Sequence, residues 1–139
     1  MTDQVSGTEL MTDELLALAR LASERAWSPY SGVKVGAVVV GAEGRRYTGC
    51  NVESASFGLT QCAERNALGA AIAGGEKPGS ISVLLVYANG FASLSPCGAC
   101  RQVMSELMAE DAVIMACSDE QPPRTWQIGE LFPEPFNLK

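Results

Sequence analysis

The 139-residue chain contains no histidine. That absence excludes a Ser-His-Asp triad, a Cys-His nucleophile pair and every His-ligated metal site. Positive charge is also scarce. Ten Lys and Arg stand against sixteen Asp and Glu, for a net charge of −6 and a pI near 4.6. Only Arg45 and Arg46 are adjacent. The basic stripe that grips a phosphate backbone is missing, so no nucleic acid polymer is expected as a partner. No apolar run reaches the roughly 18 residues needed to cross a bilayer, so no membrane is expected either. The first ten residues are polar, include Asp3 and Glu9, and lack the basic and apolar regions of a signal peptide. Residues 1–11 are therefore expected to form a flexible leader, residues 12–139 a single domain, and the compartment to be the cytoplasm.

The chain has 47% hydrophobic and 19% charged residues, the balance of a globular protein with a real core. Five cysteines without a secretion signal read as thiols rather than disulfides. Cys50 and Cys117 lie in apolar, strand-like contexts and are expected in the core. Apolar spacing predicts a helix over 12–26, capped by Thr12, and a hairpin of strands 33–40 and 45–52 around Gly41–Gly44. A helix over 62–73, a strand over 81–87, a helix over 97–108 opened by Pro96, and a strand over 112–117 follow. A short segment at 125–128 lies in the Pro-rich tail. The order implies an α/β fold, a three-layer α/β/α sandwich with a central mixed sheet.

Two cysteine clusters carry the chemistry. Cys62-Ala63-Glu64 opens one predicted helix, and Pro96-Cys97-Gly98-Ala99-Cys100 opens the other. Cys62, Cys97 and Cys100 offer three soft ligands to one zinc ion and leave a fourth tetrahedral position for water. Helix N-termini lower thiol pKa and favour the ligating thiolate. Glu64, two residues from the first ligand, is placed to move protons. Three thiolates make a net negative zinc centre, and the guanidinium of Arg65 or Arg101 can offset this by donating to the sulfurs. Alone, Cys97-Gly98-Ala99-Cys100 also suits a redox dithiol or half of a structural zinc site.

Taken together, these residues resemble the zinc-dependent cytidine deaminases, in particular the small tetrameric type with three cysteine ligands. The resemblance runs through Pro29-Tyr30-Ser31, Val35-Gly36-Ala37, Gly49-Cys50-Asn51-Val52-Glu53, Cys62-Ala63-Glu64-Arg65, Ser95 to Gln102, Leu131-Phe132-Pro133 and Phe136. It implies a cytidine deaminase-like catalytic domain over 12–139 with one zinc per chain and Glu64 as proton shuttle. The Ala63 N–H would meet the base's O2, and backbone carbonyls near Ser95 and Cys97 would meet its 4-amino group. Asn51 and Glu53 would hold the ribose of a small-molecule nucleoside. Val33, Ala55, Phe57 and Phe136 would complete the substrate contacts. A homotetramer with active sites shared between subunits is implied as well.

Two positions depart from the family's pattern. Val33 stands where a Phe usually packs on the pyrimidine, and Phe57 stands for a usual Tyr. The implied activity is deamination of cytidine and deoxycytidine. Val33 keeps a second reading open, a deaminase for a modified cytosine nucleoside such as a blasticidin-type aminonucleoside. A non-catalytic zinc-stabilised module binding a nucleoside or protein is a third.

Overall fold

The computed structural model describes residues 7–91 and 94–138. Its elements are α1 (Gly7–Ser23), β1 (Val35–Val40), β2 (Arg46–Cys50), α2 (Ala63–Ala73), β3 (Ile81–Ala88), α3 (Gly98–Leu107), β4 (Met108–Cys117), β5 (Arg124–Gln127) and α4 (Ile128–Leu131). A single turn of tighter helix, Phe57–Leu59, lies in the loop before α2. The strands form one sheet in the order β2-β1-β3-β4-β5. β3 and β4 are parallel and all other neighbours antiparallel, so the sheet is mixed as expected.

Period-2 alternation assigns the two faces. From β1, Ala37 and Val39 join Leu84, Val86, Ile114 and Ala116 in the core beneath α2, α3 and α4. Val38 and Val40 point the other way, with Leu85, Met115 and Cys117, and meet Leu15 and Ala19 of α1. This is the expected three-layer sandwich. Small residues draw the layers together. A Cβ on Gly36 would lie 1.9 Å from the Ala19 carbonyl oxygen, and one on Gly49 would lie 2.5 Å from the Ala67 nitrogen. Only glycine lets α1 and α2 sit this close to the strands.

Several boundaries differ from expectation. α1 starts at Gly7, so 7–11 are helical rather than leader, and residues 1–6 lie outside the described residues. Thr12 consequently sits inside the helix and not at its cap; its hydroxyl meets the Met115 sulfur at 3.8 Å. α1 ends at Ser23, whose hydroxyl donates to the Arg20 carbonyl at 2.6 Å. β4 begins at Met108 because that residue pairs with Ile81 before a register shift brings Val113 opposite Val83. The tail adds β5, which pairs antiparallel with β4, and the one-turn α4. Cys117 is buried as expected, but Cys50, at the outer strand of the sheet, is only half-buried.

Among the described residues no helix is long and apolar enough to cross a membrane.

Candidate metal centre and substrate cavity

α2 follows the hairpin and α3 follows β3, and both helices pack on the same face of the sheet. Cys62 and Cys97 occupy the residues just before the two helices, where a capping side chain normally stands, and neither side chain makes a cap hydrogen bond. The helices meet there start to start. The sulfurs of Cys62 and Cys97 are 3.8 Å apart, and the ligand atoms of Cys62, Cys97 and Cys100 all lie within 4.8 Å of one another.

The donor set fits zinc. With a Zn–S bond of about 2.3 Å, tetrahedral geometry separates two sulfurs by about 3.8 Å. Three protein ligands leave the fourth direction to the cavity, which Cys62 and Cys97 both line. Cys100 is fully buried behind them. The Cys62 thiol is drawn down, first by its hydrogen bond with Cys100 and then by Arg65, against the opposing effect of burial. The same Cys100 contact, reinforced by burial, pushes the Cys100 thiol up. Metal ligation requires these thiols as thiolates, so loading the site releases protons.

Arg65 reaches one of the sulfurs. Its Nη2 donates to Cys62 Sγ at 3.3 Å and to the Thr60 carbonyl at 3.5 Å. Arg101 does not reach a sulfur in this way. Its Nε donates to the Pro96 carbonyl at 2.8 Å, its Nη1 to the Leu131 carbonyl at 2.7 Å, and its Nη2 to Ser95 Oγ at 3.4 Å. It therefore ties the Ser95–Cys97 segment to α4. The α4 end, which only the folded tail supplies, takes the acceptor position that its guanidinium needs.

Glu64 is 7% exposed and lines the cavity. Burial raises its carboxyl to about 7, and the neighbouring Cys62 charge adds to the effect. A carboxyl in this range can both accept and return a proton near neutral pH.

The cavity holds about 270 Å³, near the low end of small-molecule sites. Val33, Asn51, Glu53, Cys62, Ala63, Glu64, Ser95 and Cys97 line it, so eight of the expected residues converge here. The segment after β2 delivers Asn51 and Glu53. The Trp27 N–H donates to the Asn51 carbonyl at 3.0 Å, and the Glu53 N–H to the Trp27 carbonyl at 2.8 Å. Val52 and Gln61 exchange two bonds of 2.9 Å just before Cys62. The Asn51 amide clips the entry to β1, donating to the Val33 carbonyl and accepting from the Val35 N–H, both at 2.8 Å. An amide has two donors and two acceptor sites, so one of each remains for a ligand.

Ala55, Phe57 and Phe136 do not line this cavity. Ala55 is exposed in the loop before α2. Phe57 is 76% exposed and borders an adjoining hollow with Tyr30, Ser31 and Glu53. Phe136 is 68% exposed beside α3, with its carbonyl accepting from Gln102 at 3.0 Å. Conversely, Ser31, Val35, Thr60 and Leu94 line the cavity without having been singled out. Ser31 and Val35 both lay within quoted motifs. Nothing local marked Thr60 or Leu94, which arrive by way of loops.

Comparison with known proteins agrees with this geometry. The profile of the "Cytidine and deoxycytidylate deaminase zinc-binding region" matches residues 11–116. A cytidine deaminase of Halalkalibacterium halodurans is 38% identical over 125 residues, covering 90% of this chain and 93% of that one. One from Mycobacterium tuberculosis is 39% identical over 121 residues, covering 86% and 85%. The crystal structure of cytidine deaminase from Burkholderia pseudomallei superposes with a TM-score of 0.85 at 41% identity, covering 89% of this chain and 98% of that one. The chain belongs to the cytidine and deoxycytidylate deaminase zinc-binding family.

One zinc per chain is expected from elemental analysis of the purified protein. The Cys62→Ala/Cys97→Ala variant should bind little or none, since one thiol cannot hold the ion. Full occupancy in that variant would move the metal elsewhere.

Proposed function

We propose that this chain hydrolytically deaminates cytidine and deoxycytidine, giving uridine and deoxyuridine with release of ammonia. The observation that carries the reading is the buried carboxylate of Glu64, turned into the same small cavity as the thiols of a three-ligand metal site. Storage or structure needs no proton shuttle there, which disfavours a non-catalytic zinc module.

When bound, zinc supplies a Lewis acid that lowers the pKa of water towards about 7. Glu64 takes a proton from the water that adds at C4 and delivers it to N3; it then takes the second proton from the new C4 hydroxyl and gives it to the departing amino group as the C4 carbonyl forms. One water is consumed and one ammonia leaves, so Glu64 ends as it began. The Ala63 N–H, in the first turn of α2, has no partner within the helix and is available to the O2 carbonyl. Backbone carbonyls near Ser95 and Cys97 accept from the 4-amino group. Asn51 and Glu53 take the sugar diol. Glu53 is held below the usual carboxylate range, chiefly by the Ser31 hydroxyl, so it stays negative and repels a 5′-phosphate. This favours nucleosides over nucleotides, and the free thiols suit a reducing, cytoplasmic site of action.

The exposed positions of Phe57, Ala55 and Phe136 suit a homotetramer in which they reach a neighbour's cavity. Trp27, Tyr30, Val52, Phe57 and Leu59 form exposed apolar surface on two bridged segments beside the cavity mouth. Tyr30 and Phe57 touch edge to face at 6.2 Å. Surface of this kind marks an interaction site. Light scattering should give the mass of four chains, and a fully active monomer would refute shared sites.

The lining of the cavity favours keeping a second reading. Among the described residues its apolar wall is aliphatic, from Val33, Val35 and Leu94. Such a wall leaves room for a base-modified cytosine nucleoside.

Two measurements test these readings. Glu64→Gln should keep zinc and fold while turnover falls by about 10²–10⁴-fold, the worth of general acid–base help; near-normal kcat would remove Glu64 from the mechanism. Val33→Phe should raise kcat/KM for cytidine by roughly 3–10-fold, the worth of one aromatic contact, and slow bulkier base-modified analogues. No change on either substrate would reduce Val33 to an ordinary wall residue.

A further inference from the structure

We propose that Ser31 is a positioning residue for Glu53, fixing the carboxylate oxygen that faces the sugar of the nucleoside. The proposal rests on the sugar-binding role given to Glu53 above.

The Glu53 carboxylate is held from one short segment. Its Oε1 accepts from the Tyr30 N–H at 2.9 Å and from the Ser31 N–H at 3.1 Å. Its Oε2 accepts from the Ser31 hydroxyl. That hydroxyl in turn accepts from the Val33 N–H at 3.0 Å. A relay thus runs from the Val33 amide through Ser31 Oγ to Glu53 Oε2. Each bond in such a chain polarises the next, and the last acceptor is charged. Ser31, Val33 and Glu53 all line the cavity. The relay therefore fixes two parts of the binding surface at once, the wall at Val33 and the acceptor at Glu53.

The two oxygens are not equivalent. Oε1 is filled by two backbone donors that any residue at position 31 would supply, apart from proline. Oε2 has one protein donor, from a side chain, and keeps capacity for a ligand hydroxyl. Without the Ser31 hydroxyl the carboxylate stays anchored through Oε1, but Oε2 loses its fixed direction and takes up water. Such a loss falls on recognition of the sugar hydroxyls and not on proton transfer at Glu64. Ser31 is exposed, so substitution leaves the core untouched.

The test uses zinc-loaded protein and four forms: the natural chain, Ser31→Ala, Ser31→Thr and Glu53→Gln. KM and kcat are measured for cytidine. The inhibition constant of 2′,3′-dideoxycytidine as a competitor reports binding without the 2′- and 3′-hydroxyls. Ser31→Ala should raise KM for cytidine by about tenfold, the loss of one hydrogen bond to a charged group, with kcat within about twofold. The dideoxycytidine constant should hardly move, and Ser31→Thr, which keeps the hydroxyl, should restore KM. An equal rise for both nucleosides would mean that Ser31 merely shapes the wall, and would overturn the proposal. So would an unchanged KM, or failure of Thr to rescue. If Glu53→Gln separates the two nucleosides and Ser31→Ala does not, the sugar role of Glu53 stands and the Ser31 proposal falls. If Glu53→Gln does not separate them either, both fall.

Discussion

The meeting of two helix starts over one end of the sheet is the constraint on which the site depends. Each start leaves backbone N–H groups unpaired and carries the positive end of a helix dipole. Ordinary N-caps would satisfy those groups with Ser, Thr, Asp or Asn. Here cysteines stand at both cap positions, with their sulfurs turned to each other and to Cys100. In place of cap bonds the three thiols form a donor set that could hold one metal ion. Glu64 follows from the same geometry, because the residue two places into α2 faces the cavity that Cys62 opens.

Reaching that arrangement needs close layers. Gly36 and Gly49 let α1 and α2 approach the strand backbones, and Ala63, Ala67 and Ala71 give α2 a thin buried face. A larger residue at Gly49 would lift α2 and carry Cys62 away from Cys97. At the other end of the same helix, the buried Glu76 accepts from the Ala42 N–H at 3.0 Å and the Tyr47 hydroxyl at 2.8 Å, tying the exit of α2 to the hairpin. The Ala42 amide, followed by Tyr47 and Arg45, holds its carboxyl below the usual range. That contribution to stability is present above about 4.5 and is lost as pH falls through the depressed value. Fold and site are coupled through α2 at both ends.

Much of this was legible in the chain itself. The spacing of Cys62, Cys97 and Cys100 and the position of Glu64 marked the centre before any coordinates, because ligand type and helix-start placement are local properties. The mixed sheet followed from the order of apolar runs. What escaped depended on distant segments meeting. Arg101 looked like a partner for sulfur, yet the Leu131 carbonyl of the tail claims it. Leu94 reached the cavity from a loop without periodic signal. Gly7–Met11 read as leader because Gly7, Thr8 and Glu9 break the apolar spacing, yet α1 runs through them and Met11 packs on the core. Ala55, Phe57 and Phe136, implied by resemblance alone, lie away from this chain's own cavity.

The central claim is that three thiolates from two helix starts hold one zinc and leave one direction open to the substrate. X-ray absorption at the zinc edge of the purified, zinc-loaded protein reads that shell directly. The account predicts three sulfur neighbours at about 2.3 Å and one oxygen or nitrogen neighbour at about 2.0–2.2 Å. A shell of four sulfurs, which would close the centre and make it structural, or one with fewer than three, would contradict it.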